Sequence, residues 1–431
     1  MIYNLDFAKT KLALDLDETN VIAELLPNKV EVSVTGIEEV KRSLEQTIGS
    51  KRLKYLVRSG EKVVIITSDI TRPMPSEVVL PLVLEELYQA GIPDRDITIV
   101  FAMGIHRAHT DEEQKYLVGE DIFNRIHCVD SDPQDCVHLG TTKNGTPVDV
   151  FRLVAEADRR ICLGNIEYHY FAGYSGGAKA IMPGVSTRAA IQANHRNMVL
   201  EEAHAGNVKT NPVRLDIDEV ANFITIDFIV NVVLDEKKQI VKAVSGHYLE
   251  AHREGCKYLD SLYKVKIQGK ADIVIISAGG YPKDINLYQA QKALDNAKHA
   301  VKKGGIIILV ASCKEGLGED VFEKWMRLAK KPSELIDNIK QKFQLGGHKA
   351  AAIAMVMQNA EVYLVSELED DFVRSLFMRP FANVQLALDK ALEKKGREAS
   401  VILMPIGGST LPFLVQRPTC DLEIRNTERF I

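Results

Sequence analysis

Six short, continuously apolar runs rich in β-branched residues constrain the fold of this chain more than any other feature. They are bounded by polar residues or glycine, and they lie at residues 62–68, 96–101, 159–163, 272–277, 305–311 and 361–365. A strand with one face in water alternates apolar and polar residues, whereas an uninterrupted apolar run suits a strand that is buried on both faces. The sequence therefore predicts mostly parallel sheets that are covered by helices on both sides.

Helical segments alternate with these runs, which is the pattern of an α/β protein. We predict helices at residues 75–90, 186–204, 247–262, 287–302 and 384–395, and a hairpin at residues 226–244 that turns at 235–237. A chain of 431 residues is too long for one ordinary hydrophobic core. We therefore expect two domains, residues 1–265 and 266–431, with an irregular tail from residue 415 onward.

The composition argues against several classes of protein. The net charge is -5 and aromatic residues make up only 6% of the chain, so a basic surface and base-stacking side chains are both missing. The most apolar runs are strand-sized, which is far short of a membrane span, and the first residues contain no apolar run typical of a signal peptide. The six cysteines are scattered without a C-x-x-C spacing, as in reduced cytosolic proteins. We expect a cytoplasmic protein that binds neither nucleic acid nor membranes.

Four polar clusters follow predicted strands, and open α/β sheets bind ligands at the carboxyl ends of their strands. The clusters are residues 68–73, 104–107, 165–179 and 279–292. Taken singly, each has an ordinary structural interpretation as a helix cap, a buried histidine, a tight turn or a solvated helix face. Their shared position at strand ends favours a functional site.

The third cluster contains a lysine behind a glycine run, GYSGGAK at residues 173–179. A phosphate-binding loop reads G-x-x-x-x-G-K-[ST], but here Ala178 separates Gly177 from Lys179, and Ala180 replaces the hydroxyl residue. The glycines indicate a tight turn or a close approach of the backbone to a ligand. Lys179 must therefore have another role.

The side chains in these clusters suggest a chemistry. Arg72 offers a planar fork that suits a carboxylate. His106 and His169 could act as an acid/base pair on the two sides of a small substrate. His195 could bind a borderline metal, but a lone histidine is a weak metal site unless a cofactor supplies the other ligands.

Together these motifs resemble the nickel-dependent lactate racemase family over nearly the whole chain. The resemblance is carried by SDITRP at 68–73, GIHRAHT at 104–110, HYFAGYSGGAKAIMPG at 169–184, ANH at 193–195 and YQAQK at 288–292. It implies two α/β domains with Rossmann-like topology and an active site in the cleft between them.

The resemblance also implies a cofactor. In that family, the lysine that matches Lys179 carries a pyridinium-3-thioamide-5-thiocarboxylic acid mononucleotide, a pincer nucleotide joined through the lysine nitrogen. Nickel is held by two sulfurs and one ring carbon of this nucleotide, and the histidine that matches His195 is the fourth ligand. Dedicated maturation enzymes assemble the cofactor and would be partners of this chain. The residues expected at the cofactor are Lys179, Ser175, Gly176, Gly177 and Asp69.

The same resemblance assigns the substrate site. His106 and His169 would be the acid/base pair, and Arg72 with Lys292 would hold a substrate carboxylate. Tyr288 and Gln289 would line the site from the second domain, and Asp69 would orient Arg72 or His169. The expected reaction is racemisation of a small 2-hydroxy acid, with lactate as the leading substrate. One histidine would take the hydroxyl proton while the C2 hydrogen leaves as hydride, giving a 2-oxo acid.

One feature of the sequence departs from the lactate-specific pattern. Lactate-specific relatives close their pocket with an aromatic residue, whereas here Trp325 lies in a predicted helix away from the motifs and residues 345–354 are alanine-rich. Malate, a longer aliphatic 2-hydroxy acid or a sugar acid is therefore an alternative substrate. Two other functions remain open, a phosphotransferase that uses the glycine run and a non-catalytic protein that binds nickel or carboxylates.

Overall fold

The computed structural model describes residues 1–415. Apart from Val415, the tail predicted at 415–431 lies outside the described residues. The strands in chain order are β1 (Ile2–Phe7), β2 (Thr10–Asp15), β3 (Val21–Glu24), β4 (Val63–Ser68), β5 (Ile97–Ala102), β6 (His127–Asp130), β7 (Cys136–Thr141), β8 (Pro147–Phe151), β9 (Arg159–Asn165), β10 (Tyr168–His169), β11 (Gly173–Tyr174), β12 (Phe228–Leu234), β13 (Ile240–Gly246), β14 (Lys264–Ile267), β15 (Ala271–Ser277), β16 (Val301–Val310), β17 (Ala360–Val365), β18 (Arg379–Phe381), β19 (Val401–Met404) and β20 (Leu411–Leu414). The α-helices are α1 (Gly36–Glu45), α2 (Ser76–Gln89), α3 (Asp111–Val118), α4 (Glu120–Arg125), α5 (Arg152–Glu156), α6 (Arg188–His195), α7 (Pro212–Glu219), α8 (Glu250–Tyr263), α9 (Leu287–Ala297), α10 (Asp320–Leu328), α11 (Pro332–Gln341), α12 (Gly347–Met357), α13 (Asp370–Ser375) and α14 (Val384–Lys395).

Two six-stranded sheets organise these elements, as expected for an α/β protein. The first has the order β13-β12-β9-β4-β5-β6, and all its pairs are parallel except the edge pair β12–β13. The second has the order β18-β17-β16-β15-β19-β3 and is parallel throughout. The apolar runs predicted as doubly buried strands form the centres of both sheets, so that prediction is confirmed.

The first residues of the chain pack with the second sheet. Strand β3 pairs with β19 at its edge, and Leu5 and Leu14 of the β1–β2 hairpin belong to the same apolar cluster as Ile275 and Ile308. A boundary near residue 265 places these residues in the first unit, whereas their pairing and packing place them with the second. The sequence offers little warning, because β3 is only four residues long and alternates half-buried and exposed positions.

Two predicted helices are too long. The helix predicted at 186–204 ends at His195 and passes into a short 3-10 turn, Arg196–Val199. The chain then turns back to the glycine run, where the backbone N–H of Gly206 donates to the carbonyl of Gly173 at 3.1 Å. The helix predicted at 287–302 ends at Ala297, because Val301 already pairs with Ala271 as the first residue of β16.

The hairpin predicted at 226–244 is confirmed as β12–β13.

None of the helices in residues 1–415 has the length and apolar character that crossing a membrane requires. The five cysteines that the structure describes are all free thiols.

Candidate active site

Three of the four polar clusters lie at the carboxyl ends of neighbouring strands in the first sheet. Strands β9, β4 and β5 are neighbours and run parallel, so the residues that follow Asn165, Ser68 and Ala102 leave the sheet on the same side. The fourth cluster follows β15 in the second sheet. The sequence-based expectation that strand ends gather these residues is therefore met for the first sheet.

Asp69 and His106 form a hydrogen-bonded pair at these strand ends. The Nδ1–H of His106 donates to Oδ2 of Asp69, and both the backbone N–H and the hydroxyl of Thr71 donate to Oδ1, at 3.2 and 2.8 Å. Burial raises the pKa of Asp69, but the hydrogen bond and charge of His106 outweigh it and hold this pKa below its usual range. The sequence pointed to Arg72 or His169 as the partner of Asp69, and the structure shows His106 in contact with it.

His109 anchors the turn that carries Asp69, a role that the sequence did not reveal. Its side chain is fully buried against Phe101, with ring centroids 5.2 Å apart. Nδ1 pairs with Asp130 at 2.7 Å, and Nε2 accepts the backbone N–H of Ile70 at 3.1 Å. The position of His109 in the GIHRAHT motif was the available signal.

His169 lies on the small β10–β11 hairpin between aromatic rings. It stacks on Tyr170 with centroids 5.7 Å apart and meets the edge of Phe171 at 4.5 Å. The backbone N–H of Ala172 donates to Nδ1 at 3.2 Å, so a neutral ring carries its proton on Nε2. Burial, and then the charges of Lys179 and other cations, lower the pKa of His169 well below its usual value.

Buried polar side chains hold the glycine run in place by hydrogen bonds to its backbone. The backbone N–H of Gly177 donates to Asn231 at 2.8 Å, and His252 donates to the carbonyl of Ser175 at 2.7 Å. Gly176 and Gly177 have φ of 77° and 63°, and a Cβ on them would lie 2.8 Å from Asn231 and 3.0 Å from His252. These glycines therefore face protein on their Cβ side, which is a different reason for glycine from the close approach to a ligand inferred from the sequence.

Two further side chains hold the same loop together. Fully buried Arg214 donates to the carbonyls of Ala172, Tyr174 and Gly176. The hydroxyl of Ser175 donates to the carbonyl of Asn165 at 2.7 Å and accepts the backbone N–H of Glu167 at 2.8 Å. In this structure Ser175 is thus committed to the loop itself.

Lys179 follows this loop on the 3-10 turn Gly177–Ala180. Within residues 1–415, no carboxylate lies within ion-pair distance of its ammonium group. Burial, followed by the charges of Arg72 and Arg214, lowers the pKa of Lys179 to about 7. A large share of this side chain is therefore a neutral amine at neutral pH, which is the nucleophilic form.

His195 is the last residue of α6. Its ring meets the edges of Phe171 and Phe343, with centroids 4.9 and 5.1 Å apart, and its Nδ1 is 2.9 Å from Oδ1 of Asn194. Burial, and then the charge of Lys179, lower its pKa well below the usual value. Among the described residues, no group of three or more His, Cys, Asp or Glu side chains could hold a metal ion.

The second half of the chain brings its own side chains to these residues. Buried Lys349 donates to the carbonyl of Tyr288 at 2.6 Å, and its ammonium lies 4.2 Å from the centre of the Tyr288 ring. His348 stands 6.0 Å from the ring of Tyr170, across from the β10–β11 hairpin. Burial, and then the charge of Lys292, lower the pKa of Lys349 to about 7.

His348 and Lys349 were not predicted as site residues. They lie at the start of α12, the alanine-rich segment, and the usable signal was a pair of basic residue types at the start of an otherwise apolar helix. Trp325 lies in a helix, α10, as expected, and its ring packs so closely on Gly347 at the start of α12 that a Cβ there would lie 2.6 Å from it.

Arg72 is the cation common to both halves. Burial is the main cause that lowers the pKa of each of five neighbouring bases, and the charge of Arg72 contributes in every case. These bases are His169, Lys179, His195, His348 and Lys349. Lys292 is exposed, and with Gln289 it lines a pocket of about 130 Å³. Among the predicted site residues, the charge of Arg72 acts on Asp69, His169, Lys179, His195 and Tyr288. The charge of Lys292 acts on Lys349.

Comparison with known proteins identifies the family of this chain. The lactate racemase N-terminal domain family matches residues 7–206, and the lactate racemase C-terminal domain family matches residues 266–411. The chain is 34% identical to the lactate racemase of Thermoanaerobacterium thermosaccharolyticum over 94% of this chain and 97% of the relative. It is 33% identical to the lactate racemase of Lactiplantibacillus plantarum over 94% of this chain and 98% of the relative.

Solved structures show the same likeness. The lactate racemase apoprotein of T. thermosaccharolyticum superposes with a TM-score of 0.85 and 33% identity, covering 96% of this chain and all of that one. A Thermotoga maritima protein shares the fold with a TM-score of 0.63 at 20% identity, covering 89% of this chain and all of that one. The chain belongs to the lactate racemase family of isomerases.

Proposed function

We propose that this protein interconverts D- and L-lactate in a cleft between its two sheets. The observation that carries the proposal is the set of bases gathered around Arg72, with the Asp69–His106 pair beside it. The two named relatives are lactate racemases. Each residue that we assign to the reaction lies on a segment matched by one of the two domain families.

The carboxylate of the substrate would bind the cations that converge on this cleft. Arg72 can hold both carboxylate oxygens at once, and Lys292 supplies a second charge from α9. Tyr288 and Gln289 line the same side, at the start of α9. Lys349 holds the backbone of Tyr288, and with its pKa lowered to about 7 it carries only part of a positive charge at neutral pH.

The two catalytic histidines present different nitrogens. His106 uses its Nδ1–H on Asp69, so Nε2 is free to accept the hydroxyl proton, and the carboxylate of Asp69 balances the charge that results. His169 uses Nδ1 as an acceptor, so Nε2–H can donate to the substrate oxygen. One direction of the reaction needs such a base and donor on opposite sides of the substrate.

The residues present fit a nickel–pincer nucleotide. Lys179 carries the neutral amine that attachment through its nitrogen requires, and His195 has a free Nε2 for a metal that receives its other ligands from the cofactor. When bound, this cofactor would accept the C2 hydrogen of the substrate as hydride and return it. We expect the cofactor-maturation enzymes as partners and the cytoplasm as the location.

Production of the protein together with cofactor-maturation enzymes tests the proposal. Intact mass should show a nucleotide adduct, and elemental analysis should show nickel. Chiral chromatography should then show D-lactate forming from L-lactate and the reverse, and His106→Gln should retain the adduct but lose turnover. A loaded protein that racemises malate, a longer 2-hydroxy acid or a sugar acid but not lactate would keep the chemistry and replace the substrate. A loaded protein that turns over none of them would support a binding protein instead.

A further inference from the structure

His195 is joined to a buried hydrogen-bond chain that leads away from the site. Its Nδ1 lies 2.9 Å from Oδ1 of Asn194, the preceding residue of α6. An amide oxygen can only accept, so this contact requires a proton on Nδ1 of His195. The neutral ring then has its lone pair on Nε2.

The orientation of the Asn194 amide is itself fixed by its neighbours. Its nitrogen donates to Oδ2 of Asp216 at 2.7 Å and to the backbone carbonyl of Val213 at 3.2 Å, and both of these atoms are acceptors. A rotated amide would turn its oxygen toward both acceptors and its N–H groups toward His195. Asn194 and Asp216 are both fully buried, so water cannot compensate for the lost bonds.

Asp216 is in turn held by donors that leave it no alternative role. The hydroxyls of Thr142 and Thr146 donate to its two carboxylate oxygens, the latter at 2.6 Å. With these two donors and the amide of Asn194, the carboxylate is an acceptor in every contact. Donation therefore runs from His195 through Asn194 to Asp216, and the two threonine hydroxyls donate to Asp216 from its other side.

We infer that Asn194, oriented by Asp216, is a positioning residue that keeps the proton of His195 on Nδ1 and presents Nε2 to the metal. The inference rests on the proposed function for its purpose, because the metal is the one that the cofactor would hold. Partners of this kind fix the tautomer and the ring orientation of metal-binding histidines in general, and their loss lowers metal affinity by ~10–100-fold.

The direct test uses the protein without cofactor, labelled with ¹⁵N-histidine. A long-range ¹H–¹⁵N correlation spectrum distinguishes the two neutral tautomers, and the His195 signals are those missing from His195→Gln. We expect the Nδ1–H tautomer in the unaltered protein and a shift toward Nε2–H in Asn194→Leu. The matched control is Thr146→Val, which disturbs the same buried cluster but leaves Asn194 and Asp216 in place and should keep the Nδ1–H tautomer.

The variants can fail to fold, so a second variant keeps the inference testable. Asn194→Asp still offers an acceptor to Nδ1 and should retain the Nδ1–H tautomer if Asn194→Leu does not fold. In cofactor-loaded protein, Asn194→Leu should keep the mass adduct on Lys179 but show ~10–100-fold weaker nickel retention in competition with a chelator.

The result separates this inference from the proposed function. An Nε2–H tautomer in the unaltered protein, an unchanged tautomer in folded Asn194→Leu, or an Nε2–H tautomer in Asn194→Asp would overturn it, whatever the activity. A confirmed Nδ1–H tautomer in a loaded protein without racemase activity would leave it standing and reject the function.

Discussion

The carboxylate of Asp69 accepts the Nδ1–H of His106, while Thr71 donates twice to the other carboxylate oxygen. This relationship decides which nitrogen of His106 is free, and it makes Asp69 a hydrogen-bond acceptor at both oxygens. It also distinguishes His106 from His169, whose Nδ1 accepts a backbone N–H. The two histidines are therefore not equivalent before substrate binds.

The first prediction follows from this contact. In Asp69→Asn, the backbone N–H of Thr71 requires the amide oxygen on its side, so the NH₂ group turns to His106 and forces the proton onto Nε2. The base is then lost, and we expect kcat to fall by ~10²–10⁴-fold. Chiral chromatography measures the rate, while intact mass and nickel content should stay unchanged.

The outcome for the cofactor distinguishes two roles of Asp69. Near-normal turnover in Asp69→Asn would show that His106 is not the base. Loss of the nucleotide adduct in the same variant would place Asp69 at the cofactor, as the resemblance implied.

Lys179 should react as a neutral amine near pH 7. Its lowered pKa of about 7 means that the protonated form dominates below that pH and the amine above it. Labelling of Lys179 in cofactor-free protein by an amine-selective reagent should therefore rise roughly tenfold from pH 6 to pH 8 and then level off. Peptide mass mapping gives the extent of labelling at each pH. A labelling rate that keeps rising up to pH 10 would contradict the lowered pKa.

The same residue should be the only attachment point. Lys179→Ala and Lys179→Arg should lack the nucleotide adduct, because neither variant has an amine at this position. Lys349→Arg is the matched control, since Lys349 has a similarly lowered pKa but lies on the wall of the second sheet, and it should keep the adduct. An adduct on either Lys179 variant would reject the assignment.

Arg72 and Lys292 should differ in their importance for carboxylate binding. Both side chains are exposed without substrate, but a bound carboxylate would desolvate the contact with the planar fork of Arg72. Removing one partner of a desolvated charge pair costs ~2–5 kcal/mol, so Arg72→Ala should lower kcat/KM by roughly 1.5 to 3.5 decades. Lys292 offers only a point charge that water screens, so the effect of Lys292→Ala should be limited to roughly one decade. Lys283→Ala, which alters another lysine of the same pocket, should leave kcat/KM unchanged. The reverse order of effects would move the carboxylate toward α9.

The sequence reveals the parts of this molecule that depend on local pattern. Apolar runs such as residues 272–277 predict buried strands because both sheet faces are covered, and the strand ends then indicate where Asp69, His106 and Lys179 gather. Such local patterns do not predict the packing of segments that are distant in sequence. The pairing of β3 with β19 and the end of α6 at His195 both depend on contacts with distant segments.

The missed residues share a physical cause. His109, Asn194 and Lys349 act through hydrogen bonds to residues that lie far along the chain, and Asn194 also contacts the adjacent His195. Histidine, asparagine and lysine are common in ordinary helices and loops, so the residue type alone indicates nothing. Only the three-dimensional contacts show that His109 holds Ile70 and that Lys349 holds Tyr288.

The last prediction concerns how the C2 hydrogen leaves the substrate. If a histidine removed it as a proton, the proton would exchange with water, and product formed in D₂O would gain deuterium at C2. Burial and neighbouring cations keep His169 neutral, and His106 is already paired with Asp69, so neither imidazole can readily stabilise a carbanion beside an ionised carboxylate. Departure as hydride leaves a neutral carbonyl next to the carboxylate and needs a base only at the hydroxyl. We therefore expect 2-deuterated lactate to keep its label through inversion in ordinary water, with a primary isotope effect if hydride transfer limits turnover. Acid-quenched enzyme should also release a small amount of the 2-oxo acid, detected by mass spectrometry. Rapid entry of solvent deuterium at C2 without any 2-oxo acid would instead assign conventional proton transfer to His106 and His169.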